Sequence, residues 1–318
     1  MDMNFWHPDI DPGQEPTRIM IERGSFTDAA RHGREVPYKI YHPAEDGESL
    51  PVVLWSHGLG GNRDGGGFIS RFLASHGYIV AHIQHRGTDS ALWEGKPGHP
   101  WDVIRATPIE LPAILDRYQD IPFALRALEE FSASSPAGSR MDFTRLGMSG
   151  HSFGANTTQV MAGQMIGPGE RQRSLREPRF KAGILYSPVP SSNRQDSPAS
   201  IYGPIAMPLF HMTGAADTSP IEGFGYEKRL EVFENSGGPE QHLLVLNGGD
   251  HMVYNGSRGQ LGENPKRAVH ENIIKIAALA YWDTYLKNDP AARQWLTGGG
   301  FADYLGDEGR YVFRKAAL

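Results

Sequence analysis

The sequence predicts an α/β fold, a mostly parallel central sheet flanked by helices, and three observations carry that prediction. Short apolar runs alternate along the chain with helix-length amphipathic stretches, the order expected of strand–helix units wound onto one sheet. Glycine and proline cluster around residues 60–67, 95–100, 188–208 and 298–300, between those segments, and so mark loops. Hydrophobic residues make up 39% of the 318 and charged residues 21%, which supplies a large core and argues against a disordered majority. One catalytic domain spanning residues 1–318, enlarged by insertions, is the expected organisation at this length.

The buried-strand candidates, in order, are Val52–Ser56, Tyr78–Ile83, Arg145–Ser149, Ala182–Ser187, Leu209–Thr213 and Leu243–Leu246. Amphipathic spacing places helices at Gly67–Ser75, Pro112–Phe131, Phe153–Gln164, Tyr226–Asn235 and Ala268–Leu286, with edge strands near residues 18–42. In open α/β sheets ligands bind beyond the carboxyl ends of the strands. That rule selects four residues that follow strand candidates: His57, Ser152, Asp217 and His251.

Bulk properties narrow the function classes. A formal charge of −6 offers no basic field to gather nucleic acid or anionic headgroups, so a small neutral substrate is the easier fit and nucleic acid is not expected. Stretches such as Ile273–Trp282 fall far short of the roughly 20 apolar residues of a membrane-spanning helix. The N-terminal stretch Met1–Glu15 carries Trp6, Pro8, Asp9, Asp11 and Pro12 in place of an apolar signal region, so no signal peptide is read and the compartment stays open, cytoplasmic or, after removal of a leader, secreted or periplasmic. The absence of cysteine excludes disulfides, thiolate metal sites and a cysteine nucleophile. No His/Asp/Glu set has metal-ligand spacing and no phosphate-binding loop appears, so no cofactor and no metal are expected.

The chemistry is concentrated in four segments. Gly150-His151-Ser152-Phe153-Gly154 lies between a strand and a helix, the setting in which Gly-x-Ser-x-Gly holds a nucleophilic serine in a tight turn. Ser56-His57-Gly58-Leu59-Gly60-Gly61 follows the first strong strand, and its glycines let backbone N–H groups face the cleft. Leu59 and Phe153 are therefore the expected oxyanion-hole donors, with His57 supporting the turn. Asp217, on the loop after Leu209–Thr213, is placed to accept the Nδ1–H of a catalytic histidine, although a turn-capping role would suit it too. His251 ends the glycine-rich run after Leu243–Leu246 and is the expected general base, ahead of His242 and His270. Asp250 and Asp196 are weaker alternatives for the acid. Trp93 and Trp101, in a long loop, suit an aromatic pocket wall or the anchoring of that loop.

Together with Arg117-Tyr118-Gln119-Asp120 and Thr213-Gly214-Ala215-Ala216-Asp217, these motifs resemble the bacterial α/β hydrolases similar to platelet-activating factor acetylhydrolase, often termed dienelactone-hydrolase-like. The resemblance covers roughly residues 36–290 and extends more loosely to polyester hydrolases. It implies the α/β-hydrolase fold, a Ser152–Asp217–His251 triad, Leu59 and Phe153 as oxyanion donors, and hydrolysis of carboxylic esters through an acyl-enzyme without a cofactor. It also implies pocket-forming insertions at about residues 85–110 and 188–207. The chain departs from true dienelactone hydrolases, which use a cysteine nucleophile. An acyltransferase or thioesterase on the same triad, or a non-catalytic binding protein on the same fold, is the alternative.

Overall fold

A computed structural model of the chain describes residues 5–133, 135, 138–256 and 263–315; the first four residues of the Met1–Glu15 stretch lie outside the described residues. Its strands are β1 (Ile19–Asp28), β2 (Arg34–Pro43), β3 (Leu50–Ser56), β4 (Ile79–Ile83), β5 (Met141–His151), β6 (Phe180–Tyr186), β7 (Leu209–Ala216), β8 (Glu240–Asp250) and β9 (Gly309–Lys315). They form one sheet in the order β1-β2-β4-β3-β5-β6-β7-β8-β9. Strands β3 to β8 run parallel, while β1 pairs antiparallel with β2, β2 with β4, and β9 with β8.

Helices α1 (Gly67–Ser75), α2 (Pro100–Ala106), α3 (Leu111–Ser132), α4 (Phe153–Ala162), α5 (Pro198–Tyr202), α6 (Tyr226–Asn235), α7 (Arg267–Tyr285), α8 (Pro290–Thr297) and α9 (Gly300–Leu305) complete the described elements. Every strand and helix candidate of the sequence reading is present, several of them longer at one end. This is the α/β-hydrolase fold, a mostly parallel sheet with helices on both faces.

Strand alternation sends side chains to two separate cores. On β3, Val53 and Trp55 face a cluster built with α1 and α7, including Phe72, Ile274 and Trp282. Val52 and Leu54 face the other side, against Leu125 and Leu128 of α3 and Val160 of α4. Strands buried on both faces leave their carboxyl ends as the accessible rim, and the ends of β3, β5, β7 and β8 deliver His57, Ser152, Asp217 and His251 there.

The elements that sequence reasoning missed have physical excuses. Helices α2, α5 and α9 have 7, 5 and 6 residues, too few to display a 3.6-residue period. Strand β9 is a half-exposed edge, so its apolar residues do not form a buried-strand run. Helix α8, by contrast, opens with a legible signal: Asp289 caps the N–H groups of Ala291 and Ala292 ahead of Pro290.

Candidate active site

Ser152 sits in the turn between β5 and α4 with φ 56° and ψ −116°, a left-handed backbone that a side-chain-bearing residue rarely adopts. Such strain costs about 1–3 kcal/mol and persists only when its surroundings enforce it. Here the Ser152 N–H donates to the Tyr186 carbonyl at 2.8 Å, and the Ser152 carbonyl accepts from the Asn156 N–H at 3.1 Å. The flanking glycines permit the turn, because a Cβ on Gly154 would overlap the Ser56 carbonyl oxygen and one on Gly150 would strike the Gly154 backbone. Gly154→Ala is expected to destabilise the fold by about 3 kcal/mol or more, read as a lower urea unfolding midpoint.

Adjacent parallel strands carry the other two candidates. The β7–β8 pairing shifts register between Gly214 and Ala216, and Asp217 and His251 emerge one residue beyond the two strand ends. His251 Nδ1 lies 2.7 Å from Asp217 Oδ1, and Asp217 Oδ2 accepts from the Thr213 hydroxyl at 2.8 Å. Both residues are buried, with relative exposures of 0% for Asp217 and 2% for His251. His251 Nε2 is buried and makes no hydrogen bond among the described residues, so its second nitrogen is uncommitted.

A residue that sequence reasoning missed completes this pair. The buried Arg229 of α6 places Nη2 2.9 Å from Asp217 Oδ1, donates to the Pro188 and Asp217 carbonyls at 3.0 and 3.3 Å, and lies over the Phe224 ring. Burial alone would raise the Asp217 pKa, but His251 and Arg229 outweigh it and hold the carboxyl well below the usual carboxylate range. With Asp217 ionised, the proton on His251 Nδ1 is directed at Oδ1, which leaves Nε2 as the basic nitrogen.

The glycine loop after β3 is held from below by a polar network. His57 Nδ1 donates to the Gly58 carbonyl at 2.7 Å and Nε2 accepts from the His85 N–H at 2.9 Å, so both ring nitrogens are committed and burial keeps the ring neutral. Its place is support of the turn, as the sequence suggested. Arg117 of α3, fully buried, donates to the His57 carbonyl, to Ser56 Oγ at 2.9 Å, to Thr88 Oγ1 at 2.9 Å and to Thr157 Oγ1 of α4 at 2.7 Å. Its guanidinium also lies 4.4 Å from the Phe153 ring centroid. One side chain thus ties the loop bearing Leu59 to the helix that begins at Phe153. Behind it, His85 bridges Ser56 Oγ at 3.0 Å and Asp120 Oδ2 at 3.1 Å, and Arg34 Nε meets Asp120 Oδ1 at 2.8 Å.

Burial raises the Asp120 pKa, but the hydrogen bonds from Arg34 and His85 prevail and bring it down to about 2. A carboxyl whose folded pKa is depressed adds stability above its unfolded value of about 3.9 and loses it as pH falls through the folded value. Asp120 and Asp217 act in the same direction. The urea midpoint is therefore expected to be flat from pH 7 to 5 and to fall steeply between about pH 4 and 2.

Two cavities meet at Ser152. The smaller, of about 440 Å³, is lined by Gly58, Trp93, Trp101, Ile104, His251 and Met252. The larger, of about 950 Å³, is lined by Leu115, Phe153, Asn156, Met165, Ile166 and Val189. Leu59, Ser152 and Ile221 line both. Trp93 Nε1 donates to the Gly60 carbonyl at 2.7 Å, so this tryptophan both walls the smaller cavity and anchors the loop beneath it. The segment 85–110 thus lines the smaller cavity through Trp93 to Ile104 and the larger one through Ile109, and part of the segment 188–207 lines the larger.

The remaining candidates lie elsewhere in function. Asp250 accepts from the Met252 N–H and from Asn264 Nδ2, and Asp196 accepts from Gly169 N–H and Asn193 Nδ2 on the surface. His242 is buried between the Tyr311 and Tyr285 hydroxyls, each 2.7 Å away, and His270 is a buried residue of the first turn of α7. Among the described residues no group of three or more His, Cys, Asp or Glu could hold a metal ion, and no helix is long and apolar enough to cross a membrane.

Comparison with known proteins bears on the same scaffold. The family model "Platelet-activating factor acetylhydrolase, isoform II" matches residues 26–95, from the end of β1 through the glycine loop to the start of the segment that walls the smaller cavity. The chain resembles the platelet-activating factor acetylhydrolases. The acetylhydrolase of Cavia porcellus is 24% identical over 292 residues, covering 82% of this chain and 63% of its own length. That of Canis lupus familiaris is 26% identical over 245 residues, 67% of this chain and 49% of its own. That of Bos taurus is 23% identical over 242 residues, 65% of this chain and 48% of its own. The chain therefore spans between about half and two thirds of the length of these acetylhydrolases.

Proposed function

We propose that the chain is a serine carboxylesterase working through an acyl-enzyme. Ser152 is the nucleophile, His251 the general base, Asp217 the acid that orients it, and Leu59 and Phe153 the oxyanion donors. The observation that carries this reading is a strained serine at a strand-to-helix turn, opening on the same cavity as a histidine whose Nδ1 is fixed on a buried aspartate.

In the first half-reaction His251 Nε2 takes the Ser152 proton as Oγ attacks the ester carbonyl. The carbonyl oxygen, now negative, is met by the backbone N–H groups of Leu59 and Phe153, each worth on the order of 3 kcal/mol of transition-state stabilisation. Collapse expels the alkoxide, which receives the proton from His251. Water activated by the same nitrogen then releases the acid and restores Ser152. Arg117 positions the two donor-bearing segments without touching substrate.

Esters with a substantial group on both sides of the carbonyl fit a cleft with two arms, including lipid-like esters such as the relatives' name denotes, and polyester segments. The test is hydrolysis of p-nitrophenyl esters from acetate to decanoate, with and without added alcohol, together with intact-mass trapping of the acylated protein. Free acid as the main product and acyl mass on the Ser152 peptide support the esterase. Dominant formation of alkyl ester would make it a transferase, and neither turnover nor trapping would favour a non-catalytic binding protein.

A further inference from the structure

His151 occupies the first variable position of the Gly-x-Ser-x-Gly turn and has no part in the proton path between Ser152 and His251. It is the last residue of β5 and is buried, with a relative exposure of 3%. Burial draws its pKa down to about 3, so the ring is neutral and carries a single N–H. Its Nε2 lies 2.7 Å from the backbone carbonyl oxygen of His251, an atom that only accepts, so the hydrogen sits on Nε2 and is donated there. The same ring packs on the His251 imidazole, with centroids 4.6 Å apart and an interplanar angle of 47°. His151 also abuts the glycine loop, since a Cβ on Gly58 would stand 3.3 Å from its carbonyl oxygen and 3.4 Å from its Nδ1. One residue therefore touches the segments that bear the nucleophile, the base and Leu59.

The effect of the bond follows from where His251 stands. Strand β8 ends at Asp250, paired with Ala216 of β7, and from His251 to Gly256 the chain runs in turns. Asp217 holds the imidazole at Nδ1. A ring held at one nitrogen can still pivot about that contact, so the direction of Nε2 depends on the main chain from which the ring projects. The donor that grips this main chain belongs to the residue next to Ser152, so base and nucleophile are located against a common point.

We infer that His151 is a positioning residue of the proposed triad, whose Nε2–H fixes the His251 main chain so that the His251 imidazole reaches the Ser152 hydroxyl. It acts through His251 and neither gives nor takes a proton in the reaction. This rests on the esterase reading above, with Ser152 as the acylated residue.

The test compares His151→Gln, His151→Asn and His151→Leu in the full chain, with p-nitrophenyl butyrate as substrate. The Gln amide nitrogen can stand where Nε2 stands, the Asn amide nitrogen reaches only the position of Nδ1, and Leu fills the space without a donor. Asn and Leu are each expected to lower kcat about 10- to 100-fold, the scale on which about 1 Å of misplacement is felt, while Gln stays within about threefold of the wild type. KM should remain within about twofold throughout, because the lost contact serves the transition state and not substrate binding. The rate at which a fluorophosphonate labels Ser152, which needs the same base, is expected to follow kcat. Equal kcat in the Gln and Leu variants, whether both high or both low, overturns the inference and leaves the esterase reading standing on the turnover and labelling of the wild type. If the wild type neither hydrolyses the ester nor is labelled at Ser152, the esterase reading fails and takes this inference with it.

Discussion

Ser152→Ala is expected to lower kcat on p-nitrophenyl esters by about 10⁴- to 10⁶-fold, leaving only the modest acceleration that an oxyanion hole and binding provide on their own. The substitution removes the one hydroxyl that both cavities share. It should also remove labelling by a fluorophosphonate, which reports the nucleophile without any choice of ester. Alanine loses only an oxygen and inherits the same left-handed backbone, so the melting temperature should move little. A variant that kept a tenth of the activity would show that the nucleophile lies elsewhere.

Asp217→Asn is expected to cost about 10³- to 10⁴-fold in kcat. The amide keeps the shape but cannot balance an imidazolium. The loss is compounded here by Arg229, which would remain as a buried cation beside the histidine that must become positive. Removing one partner of a buried ion pair costs about 3–5 kcal/mol of stability, so the variant should melt at a visibly lower temperature. Adding Arg229→Met should recover part of that stability, because the stranded charge goes with it. Activity and melting of the two single variants and the double variant check the argument. An Asp217→Asn protein of wild-type kcat would exclude the assigned acid.

Much of this was legible in the chain. Parallel strands buried on both faces write themselves as apolar runs, and loops beyond their ends need glycine, so Val52–Ser56 followed by His57-Gly58-Leu59 announces both a strand and a cleft. The elbow was legible for a steric reason, since the close approach of Gly154 to Ser56 permits no side chain. Arg229 was not. It sits among ordinary helix residues in α6, and only the fold brings it to Asp217, twelve positions earlier. Arg117 was visible as part of a motif, but its five contacts reach residues 29 to 61 positions away and no local pattern encodes them. Short helices and a half-exposed edge strand left no periodicity to detect.

The Ser56–His85–Asp120 chain beneath the glycine loop has a consequence for how such sites are sought. Its oxygen–nitrogen spacings of 3.0 and 3.1 Å satisfy a geometric template for a charge-relay triad, yet all three residues have 0% exposure. A distance-based search would nominate Ser56 in place of the proposed Ser152. Ser56 has an ordinary strand backbone, shares its hydroxyl with Arg117, and faces a histidine whose pKa burial draws down to about 4, so it has neither a substrate to meet nor a base to activate it. Asp217 and His251 are as buried as Asp120 and His85, so the two sets differ at the serine: Ser56 is shut off from water, whereas Ser152 is part-exposed on a strained turn that lines both cavities. Access and backbone strain, more than interatomic spacing, are the grounds on which Ser152 is proposed as the nucleophile.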